Sequence, residues 1–75
     1  MAKTYAVLFS HASTLVYEDY IGPQRFANVI DASTFGERIK NVQGVEYEVM
    51  KKIGDGEWLS PRGETALQVI RRRWA

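Results

Sequence analysis

The chain has no cysteine, one histidine and two prolines in 75 residues. Without thiols there is no disulfide and no thiolate metal site. A tetrahedral zinc site needs four ligands, which one histidine and scattered carboxylates supply poorly. No apolar run approaches the roughly 20 residues that cross a bilayer, so no membrane partner is expected. Tyr5–Phe9 is too short for the apolar core of a signal peptide. The chain therefore reads as a cytoplasmic protein that starts at its first strand. A net charge of +1 gives no global pull toward nucleic acid or membrane. There is no internal repeat and no low-complexity tract. The length suits one domain, residues 1–75, which buries only about 60% of its unfolded surface. Its stability must come from idealised packing or from oligomerisation.

What is present is organised around Gly44–Ser60. Val45, Tyr47, Val49 and Ile53 are apolar, whereas Glu46, Glu48 and Lys52 are charged. Period two marks a strand with one dry and one wet face. Gly54-Asp55-Gly56 supplies the positive φ angles of a tight hairpin, and Trp58 falls in the return strand. A β-hairpin is predicted here, with Gly54 as a position where a β-branched residue would be resisted.

Thr4–Ser10 is largely apolar on both faces and reads as a central strand covered on both sides, or covered on one side with small residues on the other. His11-Ala12-Ser13 is a connector, and Thr14–Tyr20, rich in β-branched and aromatic residues, reads as its hairpin partner. Gly22-Pro23 marks a turn, and Arg25–Asp31 alternates as a weaker third strand. Thr34-Phe35-Gly36-Glu37 has the capping-box form. Phe35, Ile39 and Val42 share one helical face, and Gly44 suits a left-handed cap. This predicts a short helix from Phe35 to Gln43. In Glu64–Trp74 the apolar residues span an arc of roughly 160°, with Glu64 in the first turn and arginines in the last. That favours a C-terminal helix over a fifth strand. The expected fold is α+β: an antiparallel sheet of four to five strands in the order β-β-β-α-β-β-α, with both helices on one face.

Arg71-Arg72-Arg73 is the sharpest charge feature, a basic patch for phosphate or an acidic protein surface, or a cationic helix end that complements its dipole. Tyr17-Glu18-Asp19-Tyr20 is acidic and aromatic, suited to an interface or to guarding an edge strand. His11 lies near Ser10 and Ser13, yet no nucleophile elbow or oxyanion loop accompanies it. The glycine turn is followed by a strand, not by the helix N-terminus that a phosphate loop requires. No catalytic, metal or cofactor motif is present.

Elimination favours a non-enzymatic protein-interaction module. In length and texture the chain resembles the small single-domain proteins that phages and mobile elements encode to block or redirect a host protein. That resemblance implies an inhibitor or adaptor. Tyr17, Glu18, Asp19, Tyr20, Tyr47, Trp58, Arg71 and Arg72 are the expected partner-binding residues. The alternative is a small nucleic-acid-binding regulator using Arg71, Arg72 and Arg73. A homodimer that completes its own core is the third class.

Overall fold

The computed structural model describes residues 2–10, 21–22 and 24–74. The expected connector at His11 and strand at Thr14–Tyr20 lie outside the described residues, as do Tyr17, Glu18, Asp19 and Tyr20. Strand β1 (Tyr5–Phe9) pairs antiparallel with β2 (Tyr47–Gly54), from Tyr5 opposite Lys51 to Phe9 opposite Tyr47. β2 pairs antiparallel with β3 (Glu57–Leu59), so the sheet order is β1-β2-β3. The other edge of β1 is also occupied. Leu8 bridges to Ile21 and Tyr5 to Phe26, and the Gly22 N–H donates to the Val7 carbonyl at 3.0 Å. β1 therefore runs through the interior, which explains why its residues are apolar on both faces.

Three strands are formed among the described residues, and the expected strand at Thr14–Tyr20 lies outside them. In the expected third strand at Arg25–Asp31, only Phe26 reaches the sheet. Asn28 instead caps helix α1 (Val29–Gln43) by accepting the Asp31 N–H at 2.8 Å. The helix thus begins six residues before the expected Phe35. Thr34 is not its cap: the hydroxyl lies mid-helix and donates to the Ile30 carbonyl at 2.9 Å, the back-bonding a helical threonine makes. Ala32, Phe35, Gly36 and Ile39 form the buried or half-buried face, while Val42 is 76% exposed and does not belong to it. Gly44 closes the helix at φ 69°, its N–H donating to the Lys40 carbonyl, as expected of a left-handed cap.

The hairpin forms, but Gly56 holds the positive φ of 72° and Gly54 does not. The C-terminal segment is a helix, α2 (Ala66–Arg73), not a strand. Thr65 and Gln68 form a reciprocal capping box, so Glu64 precedes the helix and does not lie in its first turn.

The two helices cover opposite faces of the sheet, not one. Val7, Phe9 and Val49 pack with Ala32 of α1, and Phe35 and Ile39 lie against them. Ala6, Leu8 and Met50 pack with Ala66 and Val69 of α2. The reason is the two-sided apolar character of β1 and of β2 at Val49-Met50. A single helical layer would leave one set in water, at about 25 cal/mol per Å² of exposed apolar area.

Candidate interaction surface

β3 is three residues long and, among the described residues, pairs only with β2. No backbone group of Glu57, Trp58 or Leu59 bonds outside that ladder among the described residues. A groove lies on each side of this open edge.

On the α1 side the groove has a volume of about 400 Å³. Its floor is a cross-strand row in direct register: Tyr5 on β1, Lys51 on β2, Leu59 on β3. Val29, at the start of α1, forms one wall, and the turn at Ser60, Pro61 and Gly63 forms the other. Ser60 fixes that turn. Its buried hydroxyl oxygen accepts the N–H groups of Arg62 and Glu64, both at 3.2 Å. Its own N–H donates to the Glu64 carbonyl at 2.8 Å. Lys51 is exposed, with its ammonium 6.0 Å from the Tyr5 ring centroid, the outer limit of a cation–π contact. It makes no ion pair among the described residues.

On the α2 side a groove of about 320 Å³ is lined by Ile21, Trp58, Leu59, Ala66 and Leu67, with Glu57 at its rim. Trp58 packs against the α2-side core and lies under the Arg25 guanidinium, 4.7 Å from the ring centroid. Arg25 is held there by donating to the Gly22 carbonyl at 2.7 Å.

Ile53 lines both grooves. An irregularity between Lys52 and Gly54 leaves it without a cross-strand partner, and it is 56% exposed. A bulge re-aims a side chain in this way. Leu67 is 52% exposed and Val29 47%. Exposed apolar residues clustered and rimmed by charge mark contact sites more than isolated ones do.

Of the expected binding residues, those among the described residues, Tyr47, Trp58, Arg71 and Arg72, are not brought together. Trp58 stands at the β3 edge, whereas Tyr47 is on the α1 face at the other end of β2. Its ring packs over Gly36, and its hydroxyl donates to Glu37 Oε2 at 2.8 Å. That bond, with burial and the charges of Glu37, Glu46 and Glu48, raises the phenol above its ordinary 10.0. The arginine triplet is divided. Arg72 Nε donates to both Glu64 carboxylate oxygens, at 3.0 and 2.8 Å, which holds Glu64 below its usual range. Arg73 donates to Glu48 at 2.7 Å and to the Tyr47 carbonyl at 3.2 Å, tying α2 to β2. Arg71 is exposed and makes no ion pair among the described residues.

Ile53, Lys51, Leu67 and Val29 escaped the sequence reading. One signal was present: Lys51 interrupts the apolar phase running through Val45, Tyr47 and Val49, which marks where cover by α1 ends. Ile53 restores the phase but precedes the glycine turn, where pairing slips. Among the described residues no group of three or more histidine, cysteine or acidic side chains is placed to hold a metal. No helix among them is long and apolar enough to cross a membrane. The chain matches no protein-family model, no curated protein and no solved structure, so its surface must be interpreted from its own geometry.

Proposed function

We propose that this chain is a protein-interaction module that works by binding, as an inhibitor or adaptor would, and that it docks its partner along the open edge of β3. One observation carries this reading: Ile53 projects, more than half exposed, between two apolar grooves that flank an edge strand. Burying such a side chain is worth about 1.5–3 kcal/mol. A small protein that leaves Ile53, Leu67 and Val29 in water gives up stability it can ill spare. The pairing of Arg72 with Glu64 and of Arg73 with Glu48 weighs against the nucleic-acid alternative, because only Arg71 of the triplet then has an uncommitted charge.

The test is position-resolved photo-crosslinking in the native cells. A photoreactive residue is placed at Ile53, at Leu67 or at Val42. Val42 is also apolar and is more exposed than either, but it lies about 20 Å along α1 from Val29. The same covalent adduct is expected from positions 53 and 67 and none from 42. An adduct of equal yield from 42, or none from 53 and 67, overturns the assignment.

A further inference from the structure

We propose that β3 receives, as an added strand, an extended segment of the partner in which acidic and apolar residues alternate. This rests on the reading of the β3 edge as the docking surface and names what occupies it.

Three features lead to this occupant. First, β3 offers the main-chain donors and acceptors of an unpaired edge among the described residues. A strand that adds there gains ladder hydrogen bonds, and its side chains fall alternately on the two faces. Secondly, each face has its own groove, so both sets of side chains find a receptacle. A residue opposite Trp58 enters the α2-side groove among Ile21, Ala66 and Leu67. That groove is lined mainly by apolar side chains, so it accepts an aliphatic residue. Thirdly, a residue opposite Leu59 extends the Tyr5–Lys51–Leu59 row by one strand, on the face that carries Lys51. Its backbone lies two strand spacings from Lys51, roughly 10 Å, a gap that a lysine and a glutamate side chain span between them. Lys51 has no carboxylate partner among the described residues, and neither does Arg62 in the turn after β3. Acidic residues on one face and aliphatic ones on the other are the complement of this edge.

The edge is short, so affinity depends on the side chains as much as on the ladder. Charge complementarity at an exposed rim acts mainly on association rate and on the choice of partner. The segment is therefore selected by its acidic face and retained by its apolar one.

The experiment uses a fluorescently labelled, N-acetylated and C-amidated peptide alternating Glu with Val and Leu. Its controls are the same peptide with Lys in place of Glu and two versions N-methylated on alternate amides in opposite phase. Anisotropy titrations at low salt are expected to show the Glu peptide binding at least about tenfold more tightly than the Lys peptide. One N-methylation phase should abolish binding and the other leave it intact. Lys51→Glu should invert the charge preference, and Lys51→Gln should remove it, with thermal melts confirming that both variants fold. The proposal is overturned by any of four results. These are no binding of the Glu peptide up to about 1 mM, a preference indifferent to Lys51, tolerance of both N-methylation phases, or sedimentation of the protein alone as a dimer that the Glu peptide does not dissociate. In that last case the edge belongs to a second copy. Crosslinks retained at positions 53 and 67 while the peptides fail to bind would leave the docking surface standing and remove only this occupant.

Discussion

Gly36 sits under Tyr47 so closely that a Cβ there would collide with the ring. Alanine in a helix interior is normally favourable over glycine by about 1 kcal/mol, but overpacking costs about 1–3 kcal/mol. The collision is with a ring whose hydroxyl is anchored on Glu37, so it cannot move without losing that bond. Gly36→Ala should therefore lower the melting temperature, and in a Tyr47→Ala background the same change should raise it. A double-mutant cycle by thermal melts checks the reversal of sign. Tyr47 also sets a pH response. Its folded phenol is raised above 10.0, so its contribution to stability is complete below pH 10 and lost as pH climbs through the higher folded value. Tyr47→Phe should remove that alkaline loss, read as the difference in urea midpoints between pH 9 and 11 for the two proteins.

α1 shows where local signals compete. Asn28 accepts the Asp31 N–H as the helix cap, whereas Thr34, inside the helix, bonds back to Ile30. Asn28→Ala should cost about 1 kcal/mol and Thr34→Ala well under half of that, measured as shifts in denaturation midpoint. The opposite ranking would put the helix start where the capping-box pattern suggests. That pattern misled because Val29 and Ile30 are β-branched and fall in an alternation of Phe26, Asn28 and Ile30 against Ala27 and Val29, which looks like a strand. Their helical role is set by Ala32, Phe35, Gly36 and Ile39 meeting the sheet, a tertiary effect that overrides propensity. The β2–β3 hairpin and α2 were legible because the turn glycines, the period and the arginines of the last turn agreed there. The side on which each helix lies was implicit in the two apolar faces of Thr4–Ser10 and in Met50 following Val49. The β3 edge was not legible, since it depends on a register slip at Ile53 and on which strand ends the sheet. Neither is encoded in local pattern.

Among the described residues a cluster of ion pairs stands apart from a set of unpaired cations. Glu46, Glu48, Lys40 and Arg73 form a mutually compensating cluster where α1 and α2 approach the start of β2, and Glu64 and Arg72 close on each other beside it. Lys51, Lys52 and Arg62, near the end of β2 and the turn after β3, make no ion pairs among the described residues. Lys51 and Lys52 alternate between opposite faces of β2, so they do not line a continuous track for a phosphate backbone. Binding to duplex DNA falls with salt at a slope of about −0.9 per phosphate neutralised. A groove-tracking protein with 6–10 phosphate contacts is therefore steep. With Arg72 and Arg73 committed within the chain, a log–log titration against duplex should be no steeper than about −2. Arg71→Glu should flatten it further without moving the melting temperature, since exposed substitutions stay within about 0.5 kcal/mol. Arg73→Glu, by contrast, should destabilise the fold, because it sets a carboxylate beside Glu48 and removes the bond from α2 to the Tyr47 carbonyl. A slope near −6 that Arg71→Glu reduces by about one unit would shift the function from the β3 edge to the basic end of α2.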